Sequence, residues 1–420
     1  MRYLAIFLQK DPFKDFAIQE FLSLASLYNV KTEGIFKSAI GSFSPRTVSY
    51  RDFVTYPYVE LDVEAEDAPK LKEILNQAVC TYKIMQILAG GPSEEDFKAS
   101  FAANYDNIRA EEESSESYAF RVDAHFKSLT RAQQMEKIST SGLSMFKGRC
   151  DLTSPDRVFL ILENYNIKGE LIGKYFGTDI AKNLNPKSKY FRYNLSDRPF
   201  LGPTSTDSDL AFMMVNQAKV CRNALLFDPF VGTGSILIAG SALGAVCFGS
   251  EIDIRVLNGY GVGRLNKQSP YKNVNNDRVD VFLNFKYYNL QRPEICRLDS
   301  VATVFNTEGF FDAIVCDPPY GIRASARESG TRHGKPISKT KDNIIPTKIT
   351  NCISITDKLF GVASNVLKVG GRLVFLFPCI EGERMEHIFE KYDNFDMVCV
   401  SENIVSSKFV RLLYTFEKVK

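Results

Sequence analysis

Short, mostly apolar runs that end at an acidic residue recur through the second half of the chain. The runs cover residues 225–227, 245–250, 294–298 and 311–316, and the acids that close them are Asp228, Glu251, Asp299 and Asp317. Each run has the length of a buried strand, and segments with apolar residues at helical spacing lie among them. This alternation predicts the α/β class, with a Rossmann-like sheet that carries the acids at its carboxyl edge.

Further elements of this half extend the predicted sheet. The pattern predicts a helix that begins near Asp207, a helix over 347–367, a turn at Gly370 and Gly371, a strand over 372–377, a helix over 383–391 and strands over 397–400 and 412–417. The domain that contains them is predicted to span residues 206–420.

The first half mixes strands and helices without this regular alternation. Strands are predicted over 3–8, 58–63 and 118–126, and helices over 15–28, 69–88 and 130–146, the last capped by Thr130. A turn at residues 154–156 leads into another strand, which we expect to pair with 170–175 as a hairpin. The pattern predicts an α+β amino-terminal domain over 1–92, a second module over 93–182 and a linker over 183–205.

Composition narrows the class of protein. The 420 residues are 45% hydrophobic and 24% charged, and the net charge is only +2, so any nucleic-acid contact must come from local basic patches. The nine cysteines form no Cys-x-x-Cys pair and the three histidines are dispersed, so we expect no metal site and free thiols in a reducing compartment. The longest later apolar run, 235–248, is too short to span a bilayer, so we expect a cytoplasmic or nuclear protein without membrane contact, and we assign the cytoplasm.

The catalytic candidate is the tetrapeptide Asp317-Pro318-Pro319-Tyr320. An amino group on a planar ring has a delocalised lone pair, so methyl transfer to it requires acceptors that hold its N–H protons. The Asp317 carboxylate and the Pro318 carbonyl can supply them, and Tyr320 offers a face on which a flipped base can stack. The prolines would stiffen the turn. The alternative interpretation is a strand end closed by an ordinary turn.

A glycine loop, Asp228-Pro-Phe230-Val-Gly232-Thr-Gly234, follows the first predicted strand of this sheet and leads into a helix. Glycines there let the backbone approach a ligand closely. Such loops also bind NAD, but the spacing differs from Gly-x-Gly-x-x-Gly, and an acid at the entrance opposes a pyrophosphate. The acid suits the ammonium group of S-adenosylmethionine. We therefore assign Asp228, Phe230, Gly232 and Gly234 to binding of this cofactor.

Acids after the next two strands are candidates for the rest of the cofactor. Glu251 can accept both ribose hydroxyls, with Asp253 as the alternative, although either could instead cap the following helix. Asp299 is placed to accept from the adenine amino group. Because the glycine loop and Asp317 follow strands of one parallel sheet, we expect them to face each other at its carboxyl edge.

Basic residues in two segments are candidates for RNA binding. They are Arg323, Arg327, Arg332 and Lys335 in the polar loop over 321–345, and Lys127 and Arg131 in the amino-terminal half. A basic loop beside an acceptor pocket suits gripping the phosphates around a flipped nucleotide. A disordered loop and simply solvated helix charges are the alternative interpretations.

Two resemblances to known proteins extend these interpretations. The pattern Asp151-Leu-x-x-x-Pro155-Asp156-x-Val-x-Leu resembles a THUMP domain, an RNA-binding module of tRNA-modifying enzymes. From about residue 90 to the end, the chain resembles the eukaryotic tRNA (guanine-10, N2) methyltransferase family. This likeness is carried by Arg198-Pro-Phe-Leu-Gly-Pro-Thr-Ser205, Asp228-Pro-Phe-Val-Gly-Thr-Gly-Ser235, Gly249-Ser-Glu-Ile-Asp253 and Asp317-Pro-Pro-Tyr-Gly-Ile-Arg323. Glu251 departs from the family, in which Asp is common.

The resemblance implies a class I methyltransferase that transfers a methyl group from S-adenosylmethionine to the exocyclic N2 of a guanosine in tRNA, with Asp317 and Tyr320 in the base pocket. It also implies a heterodimer with a small zinc-containing activator protein. Two alternatives stay open. One is methylation of adenine N6 in nucleic acid or of a protein amide, and the other is a non-catalytic RNA-binding subunit with a decayed transferase fold.

Overall fold

The computed structural model describes most of the chain as two sheets with helices packed on them. The described residues are 1–8, 13–31, 58–125, 127–141, 146–166, 168–181, 190–202, 205–253, 255, 257, 264–265, 280–299, 306–319, 327–329, 347–349, 352–380, 386–406 and 409–420. Their α-helices are Ala17–Leu27, Lys70–Gln77, Glu94–Ala103, Tyr105–Glu112, Arg131–Thr140, Ser208–Gln217, Ser235–Ala242, Phe282–Tyr288 and Cys352–Val366. No helix in this described part has the length and apolar composition that crossing a membrane requires.

The amino-terminal half forms one sheet of six strands. The strands are β1 (Arg2–Phe7), β2 (Tyr58–Asp62), β3 (Thr81–Gly91), β4 (Tyr118–His125), β5 (Arg157–Tyr165) and β6 (Leu171–Asp179). Their order is β2-β1-β3-β6-β5-β4. β5 and β6 form the predicted antiparallel hairpin, and β4 pairs in parallel with β5. Because β3 pairs with β6, strands from both sides of residue 92 share this sheet.

The prediction of a single helix over 69–88 is wrong. The helix Lys70–Gln77 is followed by strand β3, which lies inside the sheet between β1 and β6. The buried Glu20 carboxylate accepts the amides of Val79 (2.8 Å) and Cys80 (2.7 Å), which a longer helix would have used for its own hydrogen bonds. Long-range pairing therefore overrides the local helical pattern.

The predicted cap at Thr130 is confirmed, although the helix after it is shorter than predicted. The Thr130 hydroxyl accepts the Gln133 amide (3.3 Å), and the Gln133 side chain accepts the Thr130 amide (2.9 Å), which completes a capping box. The helix Arg131–Thr140 ends six residues before the predicted end at residue 146.

The carboxyl-terminal half forms the predicted Rossmann-like sheet. Strands of this half are β7 (Phe200–Leu201), β8 (Leu225–Asp228), β9 (Val246–Glu251), β10 (Arg264–Leu265), β11 (Glu294–Arg297), β12 (Phe311–Cys316), β13 (Arg327–Ser329), β14 (Thr347–Ile349), β15 (Leu367–Ile380), β16 (Phe395–Ser406) and β17 (Phe409–Lys418). The main sheet has the order β11-β9-β8-β12-β15-β17-β16. Its first five strands in this order are parallel, and β17 is antiparallel to both of its neighbours, β15 and β16. β7 with β10 and β13 with β14 form two short separate pairs.

Four predicted elements near the carboxyl terminus differ in extent. The helix predicted over 347–367 begins only at Cys352, because residues 347–349 pair with β13. Of the helix predicted over 383–391, residues 383–385 lie outside the described residues, and the described part contains a 3-10 turn, Glu386–Phe389. The last two strands are longer than predicted, since antiparallel pairing continues along β15, β16 and β17 beyond the most apolar residues.

Buried polar contacts join the two halves of the protein. Gln77 Nε2 donates to Asn216 Oδ1 (3.0 Å), and Asn216 Nδ2 donates to Glu20 Oε1 (2.7 Å). Arg372 of β15 donates to the Ser23 hydroxyl (2.9 Å). All five side chains are buried. Because such groups need their partners once they leave water, these contacts fix how the two halves pack.

Candidate active site

Three acids meet at one edge of the carboxyl-terminal sheet. Asp228 ends β8, Glu251 ends β9, and Asp317 directly follows β12. β8 lies between β9 and β12, and the three strands are parallel, so their carboxyl ends share an edge. This confirms the expectation that the glycine loop and Asp317 emerge at the same edge of one sheet.

The glycine loop turns sharply between β8 and the helix Ser235–Ala242. Gly232 and Gly234 have φ values of +52° and +81°, in the left-handed region that favours glycine. A Cβ on Gly234 would lie 3.0 Å from a methyl group of Val281, so the loop is closely packed there. Among the described residues, a Cβ on Gly232 would meet only the Phe230 carbonyl oxygen, at 3.9 Å. The backbone is therefore open to a ligand at Gly232.

Asp228 is the most deeply buried of the three acids. Its side chain is 1% exposed, and Oδ1 accepts the amide of Phe230 (2.9 Å). Burial raises the pKa of Asp228 well above its ordinary value, and the nearby Glu251 and Asp317 raise it further. The site thus concentrates acidic groups in a poorly solvated place, which favours a cationic ligand.

Glu251, rather than Asp253, faces the glycine loop. Glu251 Oε2 accepts the Gly232 amide (3.0 Å), and Oε1 accepts the Asp253 amide (2.9 Å). Burial raises the pKa of the Glu251 carboxyl. The Asp253 carboxylate instead pairs with Arg255, whose Nη2 lies 2.6 Å from Oδ2. The structure thus favours the first of the two ribose candidates by position.

Asp299 and Phe230 lie at the margins of the same edge. Asp299 follows β11, whose last residue, Arg297, is opposite Glu251 in the strand pair. The Leu298 amide also donates to the Glu251 carbonyl (3.2 Å), so Asp299 comes one residue after this contact. Phe230 is partly buried against the apolar cluster on one face of the sheet. Both positions are compatible with the assigned roles in cofactor binding.

Asp317 is held by two residues that the sequence analysis did not identify. Its side chain is 18% exposed. The Thr206 hydroxyl donates to Asp317 Oδ2 (3.3 Å), and Arg411 Nη1 lies 3.7 Å from the same oxygen. Pro318 is buried and Pro319 partly exposed, whereas Tyr320 lies outside the described residues. Thr206 immediately follows the Arg198–Ser205 motif, so its position beside this motif could have identified it from the sequence. No local sequence pattern identifies Arg411.

The segment that leads into this domain is fastened to the glycine loop. We name residues 198–202 and 205–206 the approach segment. Asn284, fully buried, accepts the Phe200 amide (2.9 Å) and donates to the Phe200 carbonyl (3.0 Å). The hydroxyls of Ser205 and Thr233 form a hydrogen bond of 2.8 Å. The fully buried Arg198 donates to the Ser235 hydroxyl, at the start of the helix after the loop.

The basic residues predicted to bind RNA are only partly covered by the structure. Arg323, Arg332 and Lys335 lie outside the described residues, and Arg327 is the first residue of β13. Lys127 is exposed, with Nζ 4.5 Å from the centre of the Tyr165 ring. Arg131 is exposed at the start of the helix Arg131–Thr140. Their role in RNA binding stays a prediction.

Family models match both halves of the chain. Residues 1–175 match a Tmrp11 THUMP N-terminal domain, and residues 196–333 match an RMKL-like methyltransferase domain. The first match covers the six-stranded sheet as far as the middle of β6, and the second covers the approach segment, the glycine loop and Asp317.

Several relatives match nearly the whole chain, and three of them illustrate the likeness. The tRNA (guanine(10)-N(2))-methyltransferase TRMT11 of Xenopus laevis is 30% identical over 379 residues, which cover 87% of this chain and 77% of the relative. The TRMT11 of Mus musculus is 30% identical over 388 residues, with 89% and 82% covered. The tRNA (guanine(10)-N(2))-methyltransferase of Saccharomyces cerevisiae is 26% identical over 413 residues, with 92% and 87% covered. The chain belongs to the tRNA (guanine(10)-N(2))-methyltransferase family.

Proposed function

We propose that this chain catalyses transfer of a methyl group from S-adenosylmethionine to the exocyclic N2 of a guanosine in tRNA, at the position 10 given in the names of its relatives. The observation that carries the proposal is the place of Asp317. Asp317 directly follows β12, and β12 is paired with β8, the strand that leads into the glycine loop. An amino group held by Asp317 would therefore lie next to a methyl donor held by that loop.

The acids and the loop fit S-adenosylmethionine. When bound, this cofactor supplies an electrophilic methyl group on a positively charged sulfur. Asp228 would hold its ammonium group, Glu251 its ribose hydroxyls and Asp299 its adenine amino group, while Phe230 borders the site. Burial raises the pKa of both Asp228 and Glu251 in the ligand-free protein, and a cation beside them would restore their charged forms. The open backbone at Gly232 leaves room for close approach.

Asp317 provides the acceptor chemistry in this proposal. Its carboxylate and the Pro318 carbonyl accept the two N–H groups of the guanine amino group, which turns the nitrogen lone pair toward the methyl donor. The new N–C bond forms as the C–S bond breaks, and the electron pair of that bond stays on sulfur. The nitrogen loses one proton, which Asp317 takes up and passes to water. Tyr320 would stack on the base.

The remaining parts of the chain would bring the tRNA to this site. The THUMP family match supports tRNA binding by the amino-terminal half, with Lys127 and Arg131 as candidate phosphate contacts. A small zinc-containing activator protein would complete the active heterodimer, as the family resemblance implies. A cytoplasmic location suits the cysteines whose side chains the structure describes, because these are free thiols.

Replacement of Asp317 tests the proposal. Asp317→Ala, co-expressed with the activator, should lower kcat by roughly 10²–10⁴-fold, since it removes the proton acceptor, while S-adenosylmethionine affinity stays within about 3-fold of the wild type. Asp393→Ala, at an aspartate whose side chain is 88% exposed, is the matched control and should be fully active. An Asp317→Ala enzyme with normal turnover would refute the assignment.

A further inference from the structure

Asp317 is oriented by residues that come from distant parts of the chain. Thr206 precedes the helix Ser208–Gln217, and Arg411 lies on β17, yet both contact the same carboxylate oxygen, Oδ2, at 3.3 and 3.7 Å. β17 is separated from β12 by β15 in the sheet order, on the side of β12 opposite to β8. The carboxylate is therefore approached by a cation from the side away from the glycine loop.

Arg411 is itself held in place by a buried amide. Its Nε and Nη2 donate to Oδ1 of Asn403, at 3.1 and 2.8 Å. Asn403 is 2% exposed and lies directly opposite Arg411 in the β16–β17 pair. A guanidinium group is a rigid planar fork, so fixing one of its edges also fixes the direction of the remaining N–H groups. The Nη1 group is the one turned to Asp317.

The acids around Asp317 explain why a positive charge at Arg411 is favourable. Asp228, Glu251 and Asp317 occupy three adjacent strand ends, and Asp317 already disfavours the charged form of Asp228. Negative charges placed this close together repel one another. A fixed positive charge beside Asp317 offsets the repulsion.

We propose that Arg411 is a positioning residue for methyl transfer, which holds the Asp317 carboxylate turned so that it accepts from the amino group of the acceptor base. The inference rests on the catalytic role proposed above for Asp317. It makes Arg411 important for turnover rather than for binding of the methyl donor, because the side-chain contacts that the structure describes for it run to Asp317 and Asn403.

The test compares Arg411→Met with Arg411→Lys in the full chain co-expressed with the activator. Arg411→Met removes the charge and the donors but keeps much of the apolar stem, so kcat should fall by about 10–100-fold while the Kd of S-adenosylmethionine changes by less than about 2-fold. Arg411→Lys restores a positive charge without the planar guanidinium group, so its kcat should be at least about 5-fold higher than that of Arg411→Met. Arg222→Met is the control. It changes an exposed arginine just before the amino end of β8, away from the site, and its kcat should equal that of the wild type.

A second variant guards against failure of the first to fold. Asn403→Ala keeps Arg411 and its charge but releases the guanidinium, so kcat should fall by about 3–10-fold, again with donor affinity retained. The proposal is overturned if Arg411→Met retains kcat within 2-fold of the wild type, or if the charge-restoring lysine recovers nothing. Asp317→Asn, measured in parallel, separates two failures. If it is active, the proposed catalytic site is wrong; if it is inactive while Arg411→Met is normal, only the role of Arg411 is wrong.

Discussion

The amide of Gly232 donates a 3.0 Å hydrogen bond to Oε2 of Glu251, so the glycine loop is tied to the end of the neighbouring strand. The other carboxylate oxygen, Oε1, accepts the Asp253 amide (2.9 Å). The side chain that we propose to bind the ribose therefore also shapes the loop that receives the methionine end. Affinity for the methyl donor should respond strongly to changes at residue 251.

Glu251→Ala should weaken S-adenosylmethionine binding by about 10–100-fold, because hydrogen bonds to a charged group contribute about 1.5–3 kcal/mol. Glu251→Asp keeps a carboxylate and should lose less. Isothermal titration calorimetry measures both affinities. Asp253→Asn, at a carboxylate already paired with Arg255, is the matched control and should stay within about 3-fold of the wild type. The reverse order of effects would move the ribose role to Asp253.

Asp228→Asn should stabilise the ligand-free protein while it abolishes donor binding. Burial raises the pKa of Asp228, so the folded chain retains a proton that the unfolded chain releases at a lower pH. The stability that this group contributes is complete below the ordinary aspartate pKa and is lost as pH rises through the raised value. The neutral amide escapes this loss, so the variant should gain about 1 kcal/mol at pH 8.

Urea denaturation at pH 5 and pH 8 checks the sign of this effect. The advantage of Asp228→Asn over the wild type should be larger at pH 8, because only the wild type then pays for ionising a buried carboxyl. Asp393→Asn, at an exposed site, should show the same difference from the wild type at both pH values. If the stability advantage of Asp228→Asn over the wild type is no larger at pH 8 than at pH 5, the cause given for the raised pKa of Asp228 is wrong.

Asn284→Ala should destabilise the methyltransferase half by about 2–4 kcal/mol. The buried Asn284 side chain bonds to both backbone groups of Phe200 and to the Thr233 carbonyl (3.4 Å), and the alanine leaves these groups without their partner. Chemical denaturation gives the change in unfolding free energy. Asn107→Ala, on an exposed helix position, should change it by less than about 0.5 kcal/mol. Equal effects of the two substitutions would show that Asn284 does not fasten the approach segment.

Asn216→Ala should loosen the junction between the two halves. Asn216 is fully buried, and it accepts from Gln77 while it donates to Glu20 and to the Gln77 carbonyl (3.1 Å). The variant leaves a buried carboxylate and a buried amide with fewer partners, so it should cost about 2–4 kcal/mol. Differential scanning calorimetry should then resolve two unfolding transitions. A single transition at an unchanged temperature would mean that other contacts hold the halves together.

The parts of the fold that could be predicted from the sequence are those that depend on the local pattern of apolar and polar residues. The strands that precede Asp228, Glu251 and Asp317 are short apolar runs, and parallel topology brings their ends together whatever the intervening chain does. The strand Thr81–Gly91 was missed because its pairing with β1 and β6 decides its conformation, and neither partner is adjacent in the chain.

The contacts that orient Asp317 show the same limit within the site. Thr206 lies 111 residues before Asp317 in the chain, and Arg411 lies on β17, the last strand in the chain, yet both reach the same oxygen. Arginine on a strand has many uses, and only the register of β16 and β17 sets Arg411 opposite Asn403 and toward the active edge. Residue types at the chemical centre can be predicted from a motif, whereas the residues that hold it depend on tertiary packing.

The most direct test of the account uses the full chain co-expressed with the activator, undermethylated tRNA and labelled S-adenosylmethionine, followed by nucleoside analysis of the product by mass spectrometry. The account predicts label in N2-methylguanosine, and no label in tRNA treated with the Asp317→Ala enzyme. Label in N6-methyladenosine, or an unlabelled tRNA pool despite bound S-adenosylmethionine, would contradict it.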